Sequence, residues 1–182
     1  MNAAPKILAI SGSLSADSRT CKITEQVLDL AKSKGAQVEL IDLRKHVLPL
    51  YDDRENDSTY PATVQSLKEK IKSSDVIILS TPVYHGVMSG ALKNALDFVS
   101  MDQCRKKIFG AISVSGGMAG INAINGLLFT IQALEGISGP TTLAVPNSAI
   151  GQDGRLEDVR TLKRASVMVD ELLDFAKKFS SK

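Results

Sequence analysis

The chain has 182 residues, a length that fills one compact domain, and its 43% hydrophobic and 23% charged residues match an ordinary globular protein. The formal net charge is only +2 and the basic residues are spread along the chain, so no nucleic-acid surface is expected. No run approaches the ~20 apolar residues of a membrane span. The start lacks a signal-peptide pattern, and Cys21 and Cys104 form no Cys-x-x-Cys centre, which points to a soluble protein of the reducing cytoplasm.

Lys6 to Ser11 (KILAIS) has the pattern of a buried strand, and after a polar loop Ile23, Val27, Leu30 and Ala31 recur at helical spacing. Gly35 ends that helix and Val38 to Leu43 gives a second strand. Arg44 to Pro61 is polar, with two prolines and several aspartates, and reads as a long loop of the kind that frames a site. Val64, Leu67 and Ile71 mark a second helix. Val76 to Ser80 (VIILS) is nearly all apolar, as a central parallel strand covered on both faces must be, and Thr81-Pro82 stops it.

Gly90 to Val99 carries Leu92, Ala95, Leu96 and Val99 on one helical face, and Ile108 to Val114 supplies a fourth strand. A helix from Ile121 to Leu134, a strand from Thr141 to Val145 and a last helix within Leu156 to Phe179 complete the series. Five strands and five helices in strict alternation predict one domain over residues 1–182: a parallel sheet of order 2-1-3-4-5, with right-handed crossovers and helices on both faces. Ligands of such sheets bind where the strand order reverses, at the carboxyl ends of strands 1 and 3. The residues following Ser11, Ser80 and Val114 are therefore the candidates.

The loop after strand 1 reads SGSLSADSRT and packs Ser11, Ser13, Ser15, Ser18 and Thr20 between a buried strand and a helix start. Free helix amides and the positive end of the helix dipole attract anions there, and hydroxyls add donors without filling space. Asp17 or Ser18 as a simple N-cap explains any one hydroxyl but not five. Neither the Gly-x-Gly-x-x-Gly fingerprint nor the Walker lysine loop is present, which disfavours a pyrophosphate or ATP site in this loop.

After strand 3, Pro82 and Gly86 impose a tight turn that exposes backbone and carries Tyr84 and His85, and Ser115-Gly116-Gly117 forms a second permissive stretch after strand 4. The plainer alternatives are a packing role for Tyr84 and a solvent-facing turn position for His85. No carboxylate or cysteine stands beside His46 or His85 at metal-ligand spacing, so no metal is expected.

These segments resemble the NAD(P)H-dependent FMN reductase family of the flavodoxin-like superfamily. ISGSLSADSRT is similar to the family's Gly-Ser-x-Arg-x-x-Ser-x-Asn/Thr phosphate loop, and TPVYHGVMSGALKNALDFV to its Thr-Pro-x-Tyr-x-x-x-x-x-Gly-x-Leu-Lys-x-x-Leu-Asp segment. The resemblance implies a flavodoxin-like three-layer sandwich with FMN as cofactor and NADPH or NADH as electron donor. It implies that Ser13, Ser18 and Thr20 bind the FMN phosphate, that Pro82, Val83, Tyr84, His85 and Gly86 border the isoalloxazine ring, and that Ser115, Gly116 and Gly117 line its pyrimidine side. Ser15 stands where the family has its loop arginine, leaving Arg19 as the nearest cation. Many members have Glu and Asn in place of Val83 and His85, and the TPVY form resembles the branch that reduces free FMN for partner monooxygenases.

The implied reaction passes hydride from nicotinamide C4 to flavin N5 and needs no side-chain catalyst. Free flavin, a quinone, an azo dye, a nitroaromatic or a metal oxyanion is the expected small-molecule acceptor. Arg19, Arg44 and Arg54 are candidate partners of an NADPH 2′-phosphate. A flavodoxin-type electron carrier is the competing reading; the basic sequence pI near 8.5 and the absence of Trp argue against it. A phospho-receiver would need Asp where Thr81 stands. Phe129 lies opposite the apolar face of its helix, so a homo-oligomer contact is expected, and the resemblance implies a homodimer or homotetramer. Lys93 and Asp97, four residues apart, read as a surface pair without chemistry.

Overall fold

A computed structural model describes residues 4–116 and 120–179. Strands β1 (Lys6–Ser11), β2 (Gln37–Asp42), β3 (Val76–Pro82) and β4 (Ile108–Ser115) form a parallel sheet of order β2-β1-β3-β4. Two short segments, β5 (Ile137–Ser138) and β6 (Leu143–Pro146), share the far edge and both pair with β4. The predicted order 2-1-3-4-5 therefore holds, with the fifth position divided.

The division has a local cause. Residues 110–111 of β4 face residues 139–142 of the edge, so the edge chain carries two extra residues and bulges. Helix α6 (Val159–Phe179) takes up the groups this releases: the Thr141 amide donates to Glu171 Oε2 (3.0 Å) and Arg164 Nε donates to the Thr142 carbonyl (2.7 Å). Gly110 and Gly139 leave room for Leu172 here, since a Cβ on either would come within 2.9 Å of that side chain.

Alternation along each strand sorts the core into two layers. Ile7, Ala9, Val76, Ile78, Ile108 and Ile112 pack under α1 (Arg19–Ser33) and α6. Leu8, Ile10, Ile77, Leu79, Phe109 and Ala111 pack under α2 (Ala62–Ser73), α3 (Gly90–Asp97) and α5 (Gly120–Ala133). One further helix, the single turn α4 (Met101–Cys104), is closed by a capping box between Ser100 and Gln103. Four residues carry too little periodicity to be read from sequence.

Candidate active site

The loop between β1 and α1 leaves the sheet at Gly12, whose amide donates to the Ser80 carbonyl (2.8 Å) and whose carbonyl accepts from Ser89 Oγ (2.7 Å). The approach is close: a Cβ on Gly12 would lie 2.7 Å from Leu92 Cβ and 2.8 Å from Ser89 Oγ. Only glycine fits, so the loop after β1 is pressed onto the start of α3. Ser89 also caps α3, accepting from the Leu92 amide (3.2 Å).

Beyond Gly12 the hydroxyls are oriented. Ser13 Oγ accepts from the Ser15 amide (3.3 Å), and Ser18 Oγ, as the N-cap of α1, accepts from the Cys21 amide (3.0 Å). Each hydroxyl has one proton to give, and accepting these amides leaves both protons available. The Lys22 amide bonds the Ser18 carbonyl, whereas the Arg19 and Thr20 amides have no protein acceptor among the described residues. Ser13, Ser18 and Thr20 are buried; Ser15 and Arg19 are exposed. Ser11 Oγ, also buried, has no hydrogen-bond partner among the described residues.

After β3 the chain makes a two-residue hairpin. Tyr84 and Val87 exchange amide and carbonyl bonds (3.1 Å each), and His85 (φ 51°) and Gly86 (φ 87°) both have positive φ, the signature of a type I′ turn. His is among the few non-glycine residues found readily in this region. The hairpin is tied to the strand ends: the Val83 amide donates to the Val114 carbonyl (3.0 Å), and the Ser89 amide donates to Thr81 Oγ1 (2.9 Å). Tyr84 and His85 are both exposed.

These two loops meet. Ser13, Ser15, Ser18, Arg19, Thr20, Pro82 and Tyr84 line one cavity of about 340 Å³, together with Asp17 and Val114. Val83, His85, Gly86, Ser115 and Gly116 lie on the same rim of the sheet but do not line that cavity. Gly117 lies outside the described residues. Sequence reading missed Asp17, Val114 and Gly12; of these, Gly12 carried a signal, as a glycine directly between a strand and a hydroxyl-rich loop. Asp17 brings a carboxylate to an anion-favouring cavity, but Lys22 bonds it (2.5 Å) and holds the carboxyl below its usual range.

The three candidate arginines differ. Arg44 donates to the Ala16 carbonyl (2.7 Å) and to Asp42 Oδ2 (3.4 Å). Arg54 is forked onto Asp52 (2.9 and 2.5 Å) and lies over the Tyr60 ring at 4.3 Å. Arg54 and the Tyr60 hydroxyl hold the Asp52 carboxyl down at about 2, and a hydrogen bond to Asp53 pushes the Tyr51 phenol up to about 12. With Tyr51 and Tyr60 each edge-on to Phe98, these contacts fix the long loop after β2. Arg19 is the remaining cation, without a hydrogen bond or ion pair among the described residues. Burial pushes the Cys104 thiol up to about 11 and raises that of Cys21, so both are protonated at neutral pH.

Comparison with known proteins identifies the family. The profile of the family described as NADPH-dependent FMN reductase matches residues 5–149. An FMN-dependent NADPH-azoreductase of Staphylococcus aureus is 34% identical over 180 residues, covering 93% of this chain and 94% of that protein. Among solved structures, the flavoenzyme NAD(P)H:(acceptor) oxidoreductase FerB from Paracoccus denitrificans superposes with a TM-score of 0.79 at 26% identity, over 96% of this chain and 98% of its own. An NADH:FMN oxidoreductase in its apo form shares the fold, with a TM-score of 0.77 at 21% identity over 98% of this chain and 92% of its own. The chain belongs to the NADPH-dependent FMN reductase family and is a flavodoxin-like oxidoreductase that uses FMN and NAD(P)H.

Proposed function

We propose that FMN lies along the carboxyl ends of β1, β3 and β4, with its phosphate against the loop before α1 and its ring against the hairpin after β3. The observation that carries this reading is the single cavity joining Ser13, Ser15, Ser18, Arg19 and Thr20 to Pro82 and Tyr84. The donor set suits a phosphate monoester: the Ser13 and Ser18 hydroxyl protons, the Arg19 and Thr20 amides and the Arg19 guanidinium. Ser15 adds a hydroxyl where the family has a cation, and Arg19 replaces that charge from the first turn of the helix.

When bound, FMN supplies the ring that takes a hydride from NAD(P)H and passes electrons to a small-molecule acceptor. The work of the chain is placement. Pro82, Val83, Tyr84, His85 and Gly86 shape one wall of the ring slot through a rigid backbone turn, and Ser115 and Gly116 border the pyrimidine side. No side chain is assigned a proton to move. An azo compound as acceptor is favoured by the 34% identity to the staphylococcal azoreductase. The TPVY turn instead supports free FMN, reduced for a partner monooxygenase.

Anaerobic mixing with FMN and either NADPH or NADH separates these. Bleaching of many FMN equivalents identifies a free-flavin reductase. Bleaching of one equivalent, with turnover only on adding an azo dye or quinone, identifies an enzyme with resident FMN. No bleaching with either nucleotide contradicts the proposal.

We also propose a homodimer or homotetramer. Helix α5 has no charged residue along Gly120–Ala133, yet Ile121 and Phe129 are exposed, Phe129 by 73%. Sedimentation across micromolar concentrations tests this; a monomer throughout contradicts it. The two cysteines, both free thiols, support a cytoplasmic setting.

A further inference from the structure

We propose that Arg44 is a positioning residue for the phosphate loop, bracing residues 13–17 from behind so that their other face is presented to the phosphate. This rests on the FMN placement proposed above.

The loop is two-faced. Ser13, Ser15 and Asp17 line the cavity assigned to FMN. Leu14, between them, lines a different cavity of about 370 Å³, together with Arg44. From Ser13 to Ser15 this alternation is that of an extended chain, in which successive residues face opposite sides, and a turn at Ala16–Asp17 follows. The Ala16 carbonyl belongs to the rear face, where it accepts from Arg44 Nη1 at 2.7 Å.

Pinning this carbonyl sets the opposite side of the same peptide. A trans peptide is planar and its C=O and N–H point in opposite directions. With the Ala16 oxygen fixed on Arg44, the Asp17 amide is directed away from Arg44, toward the side on which Asp17 lines the FMN cavity. Among the described residues, the other hydrogen bond to a main-chain group of 13–17 runs from the Ser15 amide to Ser13 Oγ, and Lys22 holds the Asp17 carboxylate.

The brace hangs from the sheet. Asp42, the last residue of β2, is 9% exposed and pairs in register with Ser11, the last residue of β1. Its carboxylate accepts from the Arg44 amide (3.1 Å) and from Arg44 Nη2 (3.4 Å). One guanidinium thus joins the end of β2 to the middle of the phosphate loop. Lysine cannot reproduce this, because a single ammonium on a flexible stem lacks the planar fork that reaches both acceptors.

The test compares FMN with riboflavin, which lacks the phosphate, by flavin-fluorescence titration of the wild type, Arg44→Met, Arg44→Lys and Asp42→Asn. Arg44→Met and Arg44→Lys are each expected to lose roughly tenfold of the preference for FMN over riboflavin, with riboflavin affinity and kcat at saturating FMN held within about twofold. Asp42→Asn should shift the preference in the same direction. If Arg44→Lys keeps the wild-type preference, charge rather than the brace is responsible and the proposal is overturned; a wild-type preference in Arg44→Met overturns it equally. If Arg44→Met fails to fold, Arg44→Lys alone decides, since it keeps the charge and the apolar stem. A wild type that binds riboflavin as tightly as FMN instead refutes the phosphate placement, and the brace falls with it.

Discussion

The two ends of the crevice are built by opposite means. At the end proposed for the phosphate, between β1 and α1, side chains supply directed donors: Ser13 and Ser18 each use a lone pair on a local amide and keep a proton to donate. At the end proposed for the ring, after β3, the wall is backbone: a type I′ hairpin closed by reciprocal bonds between Tyr84 and Val87. An anion of fixed charge rewards a small number of directed donors, whereas a flat ring rewards a rigid wall and tolerates varied side chains on it. Substitutions should therefore act through chemistry at one end and through φ at the other.

The largest effect is expected where the two ends touch. Gly12→Val places a Cβ against Leu92 and Ser89, neither of which is a flexible chain end, and should destabilise the fold by about 1–3 kcal/mol with loss of FMN binding. An unchanged thermal midpoint would mean that the two loops are not locked together. Gly86→Val forces a branched residue to a φ of 87°, a cost of about 1–2 kcal/mol. Because a Cβ there meets no neighbour, the loss should be conformational, and riboflavin and FMN affinities should fall together. A selective loss of FMN would blur the contrast between the ends.

Ser18→Ala removes the α1 cap at a cost of about 1 kcal/mol in denaturant titration. Unlike Gly86→Val, it should weaken FMN more than riboflavin; equal weakening would move the phosphate away from Ser18. The smallest effect is expected of His85→Asn. Asparagine adopts the left-handed turn at least as well as histidine, so stability should change by less than about 0.5 kcal/mol and reduction of FMN should persist. A collapse of activity would assign the imidazole a role that the exposed position of His85 does not suggest.

Much of this was readable from the sequence, for reasons that differ by element. β1 and β3 are buried on both faces, so KILAIS and VIILS carry their structure in composition alone. The tight turn was readable because Pro82 fixes its own φ and Gly86 reaches a positive φ at no steric cost. The divided edge was not: β5 and β6 are parted by a bulge stabilised by Glu171 and Arg164, some thirty and twenty residues away in sequence. The same holds for Arg44. Its charge suggested a nucleotide phosphate, but only the folded chain brings Ala16 and Asp42 to its two nitrogens and spends the guanidinium on the protein.

The central claim is the placement of FMN, and a crystal structure of the protein with FMN tests it most directly. The account predicts the phosphate within hydrogen-bond reach of Ser13 Oγ, Ser18 Oγ and the Thr20 amide, with the ring between the Pro82–Gly86 turn and the end of β4. Phosphate density at any other place, or a ring seated in the apolar cavity behind Leu14, would contradict it.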